Sequence, residues 1–127
     1  DIETFPLKIN TILGERGVTL SGGQRQRISI ARAIAKKPDI LILDDVLAAV
    51  DTQTEAAILD NLKPIMQSTT TIFISHRISS LQYTDNIIVL EEGSITQQGT
   101  HEDLINKPGY YSELNTMQKL EQNLEAL

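Results

Sequence analysis

Ile40-Leu41-Ile42-Leu43 is a continuous apolar run that ends abruptly in Asp44-Asp45. Its length and composition are those of a buried strand, the kind found in parallel sheets covered by helices. Further on, Thr70-Thr71-Ile72-Phe73-Ile74-Ser75 is β-branched and aromatic, a second strand, and His76 follows it immediately. Two strands thus deliver polar chemistry to one edge, and open α/β sheets bind their ligands outside the carboxyl ends of their strands. The expected fold class is α/β.

A helix is predicted to begin at about Gly22. Ser21 is a good N-cap, and Ile28, Ala31, Ile34 and Ala35 recur at helical spacing up to Lys36-Lys37 and Pro38. Glycines at 22 and 23 cost helix stability, roughly 1 kcal/mol each relative to Ala, and are explained if something must approach that backbone closely. A phosphate fits. Helix N-terminal N–H groups and the macrodipole attract anions, and a bound anion would compensate Arg25 and Arg27, which oppose the dipole of an empty helix. By itself, Ser-Gly-Gly is far more often merely a turn before an amphipathic helix with solvated arginines.

Residues 1 to 19 are weakly patterned, with Phe5-Pro6 and with Gly14 and Gly17 flanking Glu15-Arg16, and read as loop with at most a short helical turn. Asp51 or Thr52 can cap a second helix running to about Met66. Thr52-x-x-Glu55 resembles a capping box, Ala56, Ile58, Leu59, Leu62 and Ile65 form its apolar stripe, and Pro64 falls near its end. A short helical segment through Ile78 and Leu81 leads to a strand over Asn86 to Leu90, a tight turn at Glu92-Gly93 and a strand over Ser94 to Gln98. Thr100 to Asp103 has capping-box spacing and opens a short helix ended by Pro108-Gly109. The last helix, Tyr110 to Leu127, has a seam of Tyr110, Leu114, Met117, Leu120, Leu124 and Leu127, expected to dock on the core or on a partner chain. His101 matches no chemistry and is expected at the surface.

The 127 residues suit one domain, and the formal charge of -6 leaves no basic stripe of the kind that nucleic acid requires. Without cysteine, the chain has neither disulfides nor thiolate metal sites. No apolar run approaches the roughly 20 residues that span a bilayer, and the first residues do not resemble a signal peptide, so the segment itself is expected to be soluble.

Leu20-Ser21-Gly22-Gly23-Gln24-Arg25-Gln26-Arg27 resembles the signature motif of ATP-binding cassette (ABC) proteins, and three further motifs follow in that family's order. The run ending in Asp44 resembles a Walker B strand, Ala48-Ala49-Val50-Asp51 a D-loop, and Ile74-Ser75-His76-Arg77 the switch-histidine segment. The resemblance extends from Glu15-Arg16-Gly17 to Gly99-Thr100-His101-Glu102 and is closest to exporter-type ATP-binding domains. It implies ATP and Mg²⁺ as cofactors. Ser21, Gly22, Gly23 and Gln24 would complete the ATP site of a second domain, Asp51 would communicate between the two sites, and Asp44 would hold the metal. The catalytic residues implied are Asp45 and His76. Asp45 stands where most family members carry a glutamate that polarises the attacking water, and His76 would contact the γ-phosphate. The shorter aspartate departs from the pattern. A water placed for glutamate lies roughly an ångström too far from it, a misplacement that can cost about a hundredfold. The resemblance therefore admits a weak site, as in exporters that pair two different subunits.

No Gly-x-x-x-x-Gly-Lys-Ser/Thr phosphate loop occurs in the sequence. The expectation is the C-terminal part of an ABC ATP-binding domain, with a partial, mainly parallel P-loop-type sheet preceded by the signature helix. Residues 1–37 would end the helical subdomain, 38–109 form the core, and 110–127 the C-terminal helix. The implied function is ATP hydrolysis powering export, with a second ATP-binding domain, identical or from a different subunit, and a transmembrane domain as partners at the cytoplasmic face of a membrane. One alternative is a non-transport ABC ATPase acting on DNA or ribosomes, although Gln24, the acidic balance and Ser75-His76-Arg77 favour exporters. Another is an inactive isolated fragment.

Overall fold

A computed structural model describes residues 2–14 and 18–125. The Glu15-Arg16-Gly17 end of the resemblance and Leu127 of the C-terminal seam lie outside the described residues. Two 3₁₀ turns, Ile2–Thr4 and Lys8–Asn10, occupy the weakly patterned start. The regular elements that follow are α1 (Gly22–Ala35), β1 (Ile40–Asp44), α2 (Thr52–Ser68), β2 (Thr70–Ile74), α3 (Ile78–Leu81), β3 (Ile87–Glu91), β4 (Ser94–Gly99), α4 (His101–Ile105) and α5 (Tyr110–Glu125). The class is α/β, as expected. β1 and β2 pair in parallel from Ile40 opposite Thr70 to Asp44 opposite Ile74, while β3 and β4 form a separate antiparallel hairpin.

A reciprocal capping box starts α1. The Ser21 Oγ accepts from the Gln24 N–H at 3.2 Å and the Gln24 Oε1 accepts from the Ser21 N–H at 3.0 Å, which satisfies two terminal donors. The helix buries Ile30, with Ala33 and Ile34 packed beside it, whereas Ala31 and Ala35 are exposed. The inward face is therefore rotated from the stripe expected at Ile28, Ala31, Ile34 and Ala35. The bulky Ile30 meets Leu41, Leu43, Leu47, Val50, Leu59 and Leu62 in one core, a burial that alanines could not match.

On α2, the cap is Asp51, whose Oδ1 accepts from the Thr54 N–H at 2.9 Å. The capping box expected from Thr52 and Glu55 does not form, because Glu55 points inward and is only 2% exposed. Ala56 of the expected stripe is exposed, and α2 runs on through Pro64 to Ser68. β1 is covered on one face rather than two. Leu41 and Leu43 point into the core, while Ile40 and Ile42 on β1 and Ile72 and Ile74 on β2 are about half exposed or more.

The second core joins Ile78, Ile87, Val89, Leu104 and Tyr111, with Leu81, Ile105 and Leu114 packed on it. Tyr111, not Tyr110, anchors α5, and Met117, Leu120 and Leu124 of the expected seam are exposed. Two polar contacts made Tyr111 the inward residue. Its N–H donates to the Gln97 Oε1 at 3.0 Å, and its hydroxyl hydrogen-bonds the His101 Nδ1 at 2.8 Å, with the rings edge to face. Burial pushes the Tyr111 phenol up to about 12. His101 is thus half-buried and bonded instead of idle at the surface.

Candidate functional site

Asp44 ends β1 exposed to solvent, and Asp45 adopts φ 48°, in the left-handed region that Asp tolerates better than most residues. The Asp45 N–H donates to the Ile74 carbonyl at 2.9 Å, so the carboxyl ends of the two strands are tied together. The chain then turns through Ala48 N–H to Asp45 O and Val50 N–H to Leu47 O, both 3.2 Å, with Leu47 and Val50 buried beneath. Asp51 follows as the α2 cap, and the bond from Thr54 holds its carboxyl below the usual carboxylate range.

The N-terminus of α1 packs on this turn. A Cβ at Gly23 would stand 3.2 Å from the Ala49 carbonyl oxygen and one at Gly22 would stand 3.6 Å from the Ala49 Cβ. The Gln26 Oε1 accepts from the Ala49 N–H at 3.0 Å. The close approach that Gly23 permits thus includes the chain's own turn, a reason for glycine that sequence reading assigned to phosphate alone. Ser21 and Gly22 are exposed, and Gly23 and Gln24 are half-buried.

His76 is exposed immediately after β2, and its neighbours hold the loop. The Arg77 N–H donates to the Ser75 Oγ at 3.0 Å, and the Arg77 guanidinium donates to the Val50 carbonyl at 3.1 Å, to the Ala48 carbonyl at 3.3 Å and to Glu55. Glu55 also accepts from the hydroxyls of Ser79, at 2.8 Å, and Ser80, at 2.6 Å. Burial pushes the Glu55 carboxyl up, but the bonds from Ser80, Arg77 and Ser79 outweigh it and leave the group below its ordinary value. From α5, the Gln118 side chain reaches the same loop, donating to the His76 carbonyl at 2.6 Å and accepting from the Ile78 N–H at 2.9 Å.

The structure therefore brings Ser21, Gly22, Gly23 and Gln24 beside the turn that leads to Asp51, and places Asp44, Asp45 and His76 at the carboxyl ends of paired β1 and β2. Sequence reading assigned Glu55 to a capping box instead of to this loop, and missed Gln118. Glu55 shares helical spacing with Leu59 and Leu62, and Gln118 with Leu114, so each lay on an apolar face where a polar residue signals a buried partner. Among the described residues, no group of three or more acids and histidines could hold a metal unaided. A single strand-end carboxylate such as Asp44 nonetheless suits Mg²⁺, which is commonly bound by one or two carboxylates, waters and substrate phosphates.

The ABC transporter family model matches residues 2–48. The ABC transporter ATP-binding protein YknU of Bacillus subtilis is 51% identical over 117 residues, which are 92% of this chain and 20% of that protein. YheI of the same organism, described as a probable multidrug resistance ABC transporter ATP-binding/permease protein, is 47% identical over 94% of this chain and 20% of its own length. A solved structure of a bacterial Atm1-family ABC exporter with ATP bound matches with a TM-score of 0.83 and 42% identity, over 92% of this chain and 21% of the other. The chain belongs to the ABC transporter family. ABC transporter ATP-binding domains bind nucleotide and are ATPases as a family. This ABC chain spans about a fifth of the length of the curated relatives it matches. Among its described residues, no helix is long and apolar enough to cross a membrane.

Proposed function

We propose that this chain is the signature-to-C-terminus part of the ATP-binding domain of an ABC exporter, dividing into residues 1–37, 38–109 and 110–127 as helical-subdomain end, core and C-terminal helix. In the whole protein it works with a second ATP-binding domain and a transmembrane domain at the cytoplasmic face of a membrane, and ATP-driven closure of the domain pair powers transport. The packing of the Ser21-capped helix on the Ala49-Val50 turn carries this reading. It unites the signature segment and Asp51 in one surface able to face a phosphate held by the other domain.

In this reading Ser21, Gly22, Gly23 and Gln24 present the α1 N-terminus to the γ-phosphate across the interface, where fixed N–H dipoles stabilise charge that develops in the transition state. Asp51 reports between the two sites. Asp44 would hold Mg²⁺, which would supply positive charge against the phosphates of ATP. Asp45 takes the position of the water-polarising acid and His76 orients that water against the γ-phosphate, a role that an imidazole fills as donor or acceptor. The side chain of Asp45, one methylene shorter than glutamate, favours a slow site paired with a faster one in a different subunit. The 127 residues by themselves contain no phosphate loop, and so neither bind ATP tightly nor turn it over.

Ser21→Arg in the full-length transporter tests the assignment. A bulky side chain at the helix start is expected to lower hydrolysis at the other domain's site by on the order of a hundredfold while leaving this chain folded. Unchanged ATPase activity in a dimer carrying the substitution would remove the signature role.

A further inference from the structure

The loop between β2 and α3 is gripped from two directions by side chains distant in sequence. On one side Arg77 reaches back to the Ala48 and Val50 carbonyls and to Glu55. On the other, the Gln118 amide spans His76 itself, with its Nε2 donating to the His76 carbonyl at 2.6 Å and its Oε1 accepting from the Ile78 N–H at 2.9 Å. One carbonyl acceptor and one N–H donor dictate which end of the amide points where, so this pair of bonds fits Gln and neither Glu nor Leu. The helix carrying Gln118 is itself seated by buried Tyr111 and by Leu114. The His76 ring is exposed, and the backbone on which it stands fixes the direction of its Cα–Cβ bond.

We propose that Gln118 is a positioning residue for His76, so that the C-terminal helix helps to aim the switch histidine instead of serving only as a cover for the second core. The role rests on the reading that His76 acts on the γ-phosphate. The bond to the His76 carbonyl is exposed, so water replaces it at little cost to folding, but the loop then loses the contact that sets the height and tilt of residue 76.

The test compares Gln118→Leu, Gln118→Glu and His76→Ala in the full-length transporter with the other subunit's ATP site disabled, by ATPase kinetics at this chain's own site and by thermal unfolding. Leucine removes both bonds, and glutamate keeps the acceptor for Ile78 while losing the donor to His76. Both Gln118 variants are expected to lower kcat about tenfold, with KM for ATP within about twofold and the unfolding midpoint unchanged. Wild-type kcat in Gln118→Leu or Gln118→Glu, with His76→Ala inactive, overturns the positioning role and leaves the histidine assignment standing. A fall in kcat matched by a fall in the unfolding midpoint assigns Gln118 to packing and also overturns it. Wild-type turnover in His76→Ala removes the histidine assignment, and the positioning role with it.

Discussion

The carboxyl ends of β1 and β2 lie side by side, with Asp44 opposite Ile74, yet they are held by different means. The β1 end stands on a left-handed residue, two turn hydrogen bonds and apolar anchors within a few residues of the acids, with Asp45 itself bonded to the adjacent strand at the Ile74 carbonyl and Gln26 and Arg77 bonded farther along the turn. The β2 end depends on Glu55 and Gln118, which reach its loop across 22 and 42 residues of sequence. The acids therefore stand on strand register, and the histidine on the docking of two helices. Distant substitutions should disturb His76 before they disturb Asp44.

Glu55→Ala should break this comparison most. It strips Arg77, Ser79 and Ser80 of their common acceptor and leaves a half-buried guanidinium with carbonyls alone, at an expected cost of about 3 kcal/mol in urea unfolding. The pH dependence has a definite sign. Because the folded carboxyl titrates below its ordinary 4.5, the unfolded chain takes up the proton first as pH falls. The stabilisation is full above about pH 4.5 and is lost through the lower folded value, so Glu55→Gln should flatten this acid limb. An acid limb unchanged by that substitution would mean that other carboxylates carry it.

At the β1 end the sharper probe is chemical. If the short acid leaves the attacking water misplaced, Asp45→Glu should raise single-turnover hydrolysis at this chain's own site by up to about a hundredfold, with the partner's site disabled. Asp45→Asn should change little. A fast wild-type rate that Asp45→Asn abolishes and Asp45→Glu does not raise would make Asp45 a competent base and end the unequal-pair reading.

The smallest expected effect is at the seat of α5. Tyr111→Phe removes one hydrogen bond to His101, worth about 1 kcal/mol, and should leave turnover near neutral pH within about twofold because Leu114 still packs. The phenol titrates near 12 when folded against an ordinary 10, so it stabilises fully below pH 10 and loses that contribution as pH rises toward about 12. Loss of this alkaline limb in Tyr111→Phe, followed by circular dichroism, checks the burial.

What could be read from the chain alone were features with a short physical range. Strand composition placed β1 and β2, cap chemistry placed the starts of α1 and α4, and the order of the motifs pointed to the ABC family. The rotated face of α1, the switch from Tyr110 to Tyr111 and the inward turn of Glu55 escaped because helical periodicity admits neighbouring faces, and the partners across the core choose among them. For Glu55 the choice was electrostatic. A cap at Thr52 and a buried pair with Arg77 are both open to the sequence, but only the packed structure supplies a guanidinium and two hydroxyls at once, and that full set of donors is what makes burying a carboxylate favourable.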